Sequence, residues 1–146
     1  MLVSGHADQT HNMNLIRRFL IFGLLTSILQ WLLYAVTFFI LRLIGNLSGN
    51  PDFISLYGLS LSLTLFGIIL LLQNSLTSII NKKWFSRTAL ILALMFYYIG
   101  WGEDFNSWPL QTLAFLIVGT VVLISKFYID KRLAVWTGTA RTANSA

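Results

Sequence analysis

Long apolar runs separated by short polar stretches dominate the sequence. Four runs can be distinguished, covering residues 19–41, 53–80, 84–101 and 109–128. A helix of roughly 20 apolar residues crosses the hydrocarbon of a bilayer, so the pattern predicts four transmembrane helices. The third run is the shortest and contains Arg87, which leaves a tilted or re-entrant segment as the alternative there. Lys126 near the end of the fourth run does not break it, because long basic side chains reach back to the interface.

Polar segments at both ends and between the runs divide the chain. We expect a polar leader over residues 1–16, a transmembrane domain over residues 17–132 and a small polar tail over residues 133–146. Met13 opens the stretch "MNLIRRFL" and is a second candidate for the natural start. Between the first two runs, Asn50 and Pro51 form a helix start, since Asn caps a helix and Pro fits its first turn.

Composition agrees with the pattern. The hydrophobic fraction is 56% and the charged fraction 10%, whereas a soluble domain carries about 25% charged residues. So few charges cannot cover a water-exposed surface, which predicts an all-α integral membrane bundle. The chain has no cysteine, which excludes disulfides, thiolate catalysis and cysteine metal sites.

The positions of the basic residues predict an orientation. Nine of the ten Lys and Arg residues precede the first run, lie between the second and third, or lie at or after the end of the fourth; only Arg42 falls elsewhere. Basic residues collect on the cytoplasmic side of membrane proteins, so both termini are predicted to be cytoplasmic. This distribution explains the net charge of +5 without nucleic acid as a partner.

Glu103 and Asp104 are adjacent acids between the third and fourth runs. Trp101 and Trp108 bracket them, and tryptophan favours the membrane interface because its ring is apolar and its tip polar. We expect the two acids to lie solvated in a tight external loop. A catalytic or cation-binding pair is the alternative, which requires the backbone to turn the two side chains together.

Polar and small residues recur at steps of three and four in the first two runs. The first run carries Gly23, Ser27, Gln30, Tyr34 and Thr37, and the second carries Ser60, Thr64, Gly67, Asn74 and Ser78, with Leu71 filling the one gap. Such steps place each set on one helix face. Small and polar residues join helices in lipid, so packing of the first two helices is the favoured interpretation. The alternative is a polar path for a ligand head group, lined by Gln30 and Asn74.

Basic residues also supply a candidate ligand site. The stretch "NKKWFSR" contains Lys82, Lys83 and Arg87, and Lys126, Lys131 and Arg132 lie on the same predicted side. A cytoplasmic turn that obeys the charge rule is the simpler interpretation. The functional one is a contact with the phosphate of an anionic lipid, which attracts Lys and Arg near the surface.

Enzymatic signatures are missing from the sequence. It contains no phosphate-binding glycine loop, nucleophile elbow or zinc-protease motif. His6 and His11 in the polar leader are a weak metal signal without fixed geometry, so we expect neither a metal nor a cofactor. No Asp, Glu or His lies deep inside the four runs, and this argues against a proton-driven transporter formed by this chain alone.

The stretch "RRFLIFGLLTSILQWLLYAV", residues 17–36, resembles the start of the GtrA-like proteins, small four-helix bacterial membrane proteins. The first helix of that family often begins with a basic residue and Phe, followed by Gly and Thr, which would be Arg18, Phe19, Gly23 and Thr26 here. The stretch "INKKWF" is similar to the end of the family's second helix, through Asn81, Lys82, Lys83 and Trp84. The resemblance covers residues 17 to about 132.

The resemblance implies a role in cell-surface polysaccharide synthesis at the bacterial inner membrane. The chain would assist translocation of a polyprenyl-phosphate-linked sugar without being an enzyme, and its basic residues would face the lipid phosphate. The alternative is a non-enzymatic interaction protein. It would be a small subunit of a membrane complex or an immunity protein against a toxin or bacteriocin, and its partner would be another membrane protein or a second copy of itself in a homo-oligomer. Genes for glycosyltransferases beside this one would favour the first function, and a toxin gene would favour the second.

Overall fold

Four helices make up the structure, a computed structural model that describes residues 15–47, 56–80, 82–102, 106 and 109–136. Helix α1 spans Leu15–Leu47, α2 spans Leu56–Ile79, α3 spans Lys83–Gly102 and α4 spans Pro109–Trp136. All elements are helical in this part of the chain. The fourth helix continues to Trp136 rather than ending at Tyr128 as predicted, which places Asp130 inside a helix that contacts the rest of the bundle.

The helices run up and down in alternation. Asn74 of α2 donates to Ser27 and Gln30 of α1, whereas Ser62 earlier in α2 bonds Tyr34 later in α1. This reverse order shows that the two helices are antiparallel. Helix α4 is antiparallel to α1 and to α3 by the same argument. The contacting pairs are Thr26–Asp130, Gln30–Val122, Phe38–Phe115, Trp101–Phe115 and Tyr97–Gly119.

A π-helical segment, Phe19–Leu25, interrupts α1. The backbone N–H of Thr26 donates to the carbonyl of Ile21, five residues earlier. The wide turn brings Gly23 against α2, where an added Cβ would lie 3.1 Å from Ser78 Oγ. Directly after it, Thr26 and Ser27 are both buried, the former against α4 and the latter against α2. The segment therefore ends where α1 makes polar contacts with two helices at once.

The bundle exposes large apolar residues and buries several polar ones. Exposed residues on every helix include large apolar side chains such as Phe39, Leu72, Phe96 and Ile117, while Gln30, Asn74 and Lys126 are buried. Hydrocarbon is the environment that favours this distribution, because it solvates apolar side chains and leaves polar groups to pair with one another. Three helices, α1, α2 and α4, are long and apolar enough to cross a membrane.

Helix α3 does not meet the same criterion of length and apolar content. That all four helices cross a membrane therefore stays a prediction. Its 20 residues begin with the polar stretch "KWFSRT", which lowers its apolar content. Its outer face nevertheless carries Ile91, Met95, Phe96 and Ile99, all of them exposed. The expected orientation of the termini likewise stays a prediction.

The inner face of α3 divides the bundle core into two sections. Ala89, Ala93, Tyr97 and Trp101 follow one another at steps of four and are all buried. Around Tyr97 and Trp101 lies the aromatic section, completed by Tyr34, Phe38, Phe66 and Phe115. Toward Ala89 lies the polar section, which consists of Thr26, Ser27, Gln30, Gln73, Asn74, Lys126 and Asp130. The polar section is the candidate functional site.

Candidate functional site

Basic residues collect at the end of the bundle where α1 and α3 begin and α2 and α4 end, called the basic end below. Eight of the nine Lys and Arg residues in the described part of the chain belong to this half, and Arg42 lies at the opposite end. Five of the six predicted lipid-phosphate residues have exposed side chains there, namely Lys82, Lys83, Arg87, Lys131 and Arg132. The structure therefore brings these five to one end of the molecule.

Lys126 differs from that expectation. Its side chain is only 2% exposed, and its Nζ donates to Oδ2 of Asp130 at 2.8 Å. Asp130, which is 28% exposed, accepts a second hydrogen bond at Oδ1 from the Thr26 hydroxyl, 3.0 Å away. Burial of an unpaired ammonium is costly, and a hydrogen-bonded carboxylate reduces this cost. Lys126 thus points into the bundle instead of reaching the interface, and Asp130 links its charge to α1.

A second group of hydrogen bonds joins α1, α2 and α4 one turn further in. Asn74 Nδ2 donates to Oε1 of Gln30 at 2.8 Å and to Ser27 Oγ at 3.1 Å. Gln30 Nε2 donates to the carbonyl oxygen of Val122 at 2.6 Å. Val122 lies one helical turn before Lys126, so both groups of bonds belong to the same polar section. Gln30 and Asn74, predicted as packing or path residues, therefore meet inside the bundle.

Three buried polar atoms of this section lack a hydrogen-bond partner in the described part of the chain. They are Nε2 and Oε1 of Gln73 and Oδ1 of Asn74. Gln73 is 4% exposed and Asn74 is 0% exposed. Gln73 lies on the inward face that also carries Phe66 and Leu70, since steps of three and four place residues on one side of a helix. Most buried polar groups in proteins are paired, so these atoms indicate a place for a polar ligand or water.

A groove in the outer surface follows the contact between α1 and α4 at the basic end. This seam groove has a volume of about 310 Å³, and its lining residues are Leu29, Tyr128, Ile129, Arg132, Leu133, Val135 and Trp136. Arg132 Nε donates to the Tyr128 hydroxyl at 3.0 Å, and the guanidinium carbon lies 5.1 Å from the centre of the Tyr128 ring. These contacts hold a cation at the edge of an apolar groove.

The second predicted stripe faces outward over much of its length. Ser60 and Thr64 are exposed, and the Thr64 hydroxyl donates to the Ser60 carbonyl of its own helix at 3.0 Å. Gly67 lies beside Trp31 on the wall of another groove of about 370 Å³, whose further lining residues are Ser27, Ile28, Leu32 and Leu71. At about 100° per residue these positions lie roughly a quarter turn away from the buried face of α2. The stripe therefore does not pack against α1 at Ser60 and Thr64.

The predicted external pair, Glu103 and Asp104, lies outside the described residues, as do His6 and His11.

Sequence reasoning missed the role of Asp130, and a signal for it was present. Phe115, Gly119, Val122, Lys126 and Asp130 succeed one another at steps of three and four, so they share one face of a helix. A fourth helix continued beyond Tyr128 would have placed both charges on the buried face. The predicted span ended too early for that inference because it was bounded by apolar content alone.

Comparison with known proteins identifies no relative. No family model, no curated protein and no solved structure matches the chain. The class of protein is therefore defined by the structure itself, as an all-helical bundle with three helices able to span a membrane.

Proposed function

We propose that the chain is a non-enzymatic protein of the bacterial inner membrane that binds a phosphate-bearing lipid at its basic end. The carrier lipid implied by the GtrA-like resemblance is a polyprenyl-phosphate-linked sugar, whose translocation in cell-surface polysaccharide synthesis the chain would assist. In this arrangement all four helices cross the bilayer and the basic end faces the cytoplasm.

The seam groove is the observation that carries the proposal. It is open at the outer surface of the bundle, it is apolar along Leu29 and Ile129, and Arg132 lies at its edge. A phosphate-bearing lipid combines a long apolar chain with an anionic group near the interface, so both parts find a matching surface. The exposed residues Lys82 and Lys83 lie at the same end and add to the attraction.

Binding of a polyprenyl monophosphate to the purified protein in nanodiscs tests this function. Arg132→Gln is expected to weaken binding about tenfold, because a hydrogen bond to a charged group contributes roughly 1.5–3 kcal/mol. The double variant Lys82→Gln, Lys83→Gln is expected to weaken it less, since those side chains do not line the seam groove. Arg42→Gln removes the same charge at the opposite end and is the matched control. Equal losses in the Arg42 and Arg132 variants would contradict the proposal.

Reporter fusions test the orientation separately. Tags at both termini are expected in the cytoplasm, whereas a tag inserted in residues 48–55 is expected on the other side. Termini found on opposite sides would remove the four-span arrangement and leave the lipid-binding surface to be reconsidered.

An interaction protein is the second candidate, and the outward stripe of α2 favours it. Small and hydroxyl residues facing lipid, here Ser60, Thr64 and Gly67, are the residues that membrane helices use to approach each other. The groove beside Gly67 and Trp31 adds a concave surface. The partner would be a helix of a membrane complex, a second copy of this chain or a toxin for which the chain provides immunity.

Disulfide cross-linking in native membranes tests this candidate, because the chain has no cysteine of its own. Ser60→Cys is expected to form a covalent adduct if another helix covers the stripe. Ile117→Cys on the lipid-facing side of α4 is the control and is expected to stay uncoupled. Adducts at both positions would indicate random collision, and adducts at neither would remove the candidate.

A further inference from the structure

The unpartnered amides of α2 are the least satisfied part of the described molecule. Gln73 has neither its donor nor its acceptor paired, and Asn74 has an acceptor unpaired, although both side chains are buried. An unpaired buried polar group is destabilising, and lipid offers no water to relieve it. Three such atoms on two successive residues indicate a site that a bound group completes.

The charges around these amides determine what kind of group fits. The carboxylate of Asp130 neutralises the buried ammonium of Lys126 at 2.8 Å, so the section carries no net charge. The unpaired amide oxygens would repel a bound anion, and the Lys126 ammonium would repel a bound cation. The free amide of Gln73 offers both donors and an acceptor, and Asn74 offers an acceptor. Hydroxyl groups complement this set, because each of them donates and accepts.

Small side chains face this level of the bundle. Phe66 of α2 contacts the ring of Tyr97 at 5.2 Å between centroids. Helices α2 and α3 are antiparallel. The residues of α2 that lie one and two turns after Phe66 are therefore level with Ala93 and Ala89 of α3. Both alanines are buried. The stretch of α2 that carries Gln73 therefore faces methyl groups, whereas Phe66 faces an aromatic ring.

The section lies directly behind the seam groove. The Thr26–Asp130 hydrogen bond, 3.0 Å long, joins α1 to α4. Leu29, one turn after Thr26, and Ile129, next to Asp130, line the groove on the outer side of that bond. The Gln30–Val122 hydrogen bond, 2.6 Å long, joins the same two helices one turn further in, so separation of both bonds would connect the groove with the buried amides.

We propose that the polar section binds the uncharged, hydroxyl-bearing head group of a lipid whose phosphate and chain occupy the seam groove. Gln73 and Asn74 hydrogen-bond the hydroxyls, and the neutral Lys126–Asp130 pair lines the wall beside them. The inference rests on the proposed function for the groove and assigns a separate recognition role to the interior.

Two lipids of equal charge test the site in nanodiscs. One is a polyprenyl phosphodiester that carries a hexose, and the other carries a methyl group in place of the hexose. The protein is expected to bind the hexosyl lipid at least about tenfold more tightly, as two additional neutral hydrogen bonds would give. Gln73→Leu is expected to abolish this preference.

Gln73→Leu is suited to the test because the amide has no partner to lose, and Gln73→Met serves as a second variant of similar volume. Tyr34→Phe removes a buried hydroxyl from the aromatic section and is expected to keep the preference. Equal affinity of the unmodified protein for the two lipids, or a preference that survives Gln73→Leu and Gln73→Met, overturns the inference and leaves the proposed function standing. Failure to bind either lipid removes the proposed function itself and this inference with it.

Discussion

The aromatic section and the polar section occupy the same four helices, yet different interactions hold them together. In the aromatic section, Tyr34 and Phe66 stack at 4.0 Å and Trp101 and Phe115 at 4.6 Å between centroids. In the polar section, helices are joined by amide and carboxylate hydrogen bonds, among them Gln30–Asn74 at 2.8 Å. Among the described residues, the aromatic section is filled by rings and has one unpaired buried polar atom, Trp101 Nε1, whereas the polar section has three.

The contrast teaches which section maintains the fold and which is available for binding. Burial of apolar surface adds little to helix association in lipid, since the tails are equally apolar; close packing and hydrogen bonds supply the stability. The aromatic section provides both, because the Tyr97 hydroxyl donates to the Phe115 carbonyl at 2.8 Å within a ring cluster. The polar section offers unpaired groups able to receive a ligand. Variants in the two sections should therefore differ in what they disturb.

The largest effect is expected from Asp130→Ala. This change leaves the buried Lys126 ammonium without its carboxylate, and loss of one partner of a buried ion pair costs about 3–5 kcal/mol. Exposure of Asp130 places the expected value at the lower end of that range. The free energy of unfolding in mixed micelles, measured by denaturing-detergent titration, checks it. The double variant Asp130→Ala, Lys126→Met should recover most of the loss, and no recovery would mean that the ammonium is not the cause.

Gly119→Ala is expected to have the next largest effect. An added Cβ would overlap the ring of Tyr97, and such overpacking costs about 1–3 kcal/mol. Gly100→Ala is the matched control, because nothing lies within 4 Å of the position of its Cβ. The same titration is expected to show destabilisation for Gly119→Ala alone. Equal stability of the two variants would contradict close packing of α3 on α4.

Tyr34→Phe is expected to cost about 1 kcal/mol. The Tyr34 hydroxyl bonds Ser62 Oγ and lies 2.8 Å from the Tyr97 hydroxyl, so its removal leaves two buried groups with fewer partners. Tyr98→Phe is the control, since that exposed hydroxyl meets Thr120 at 3.2 Å near the lipid-facing surface. Thermal unfolding followed by circular dichroism should separate the two; similar midpoints would weaken the case for a hydrogen-bonded aromatic section.

The smallest effect on stability is expected from Gln73→Leu. Removal of an unpaired buried amide should leave the thermal midpoint unchanged or raise it, because no hydrogen bond is lost. Circular dichroism melting in the absence of lipid measures this directly. A marked fall in the midpoint would show that the amide already has a stabilising partner, such as bound water.

The helices themselves follow from the apolar runs, and their ends and directions depend on tertiary contacts. Helix α4 begins at the predicted Pro109, and α1 begins at Leu15, shortly before the predicted Phe19. Helix α4 extends to Trp136, beyond the predicted span, and Asp130 and Lys126 pair one turn apart within this extension. Apolar content alone cannot locate an end that polar contacts stabilise. The division of the core is nonetheless visible in the sequence of α3, where the small Ala89 and the large Tyr97 lie two turns apart on one helix face.

The candidate site was predictable in part. Gln30 and Asn74 stand out as polar residues in apolar runs, and they do meet. Ser60 and Thr64 belong to the same periodic pattern as Asn74 but face outward. Periodicity defines a face without saying which neighbour it meets, and here Phe66 and Leu70 turn the helix so that the outer half of the stripe leaves the core. Lys126 was misplaced for a similar reason, since a flexible side chain near a helix end can point either way.

The modest apolar content of α3 has a consequence for biosynthesis. In the proposed arrangement, α1, α2 and α4 partition into hydrocarbon on their own, whereas the opening "KWFSRT" makes the transfer of α3 less favourable. Tyr97 then finds a hydrogen-bond acceptor on Phe115, in the helix that leaves the ribosome after α3. Helix α3 would therefore complete its insertion only as a hairpin with α4, and a chain that ends before Pro109 would lack the helix that retains α3 in the bilayer.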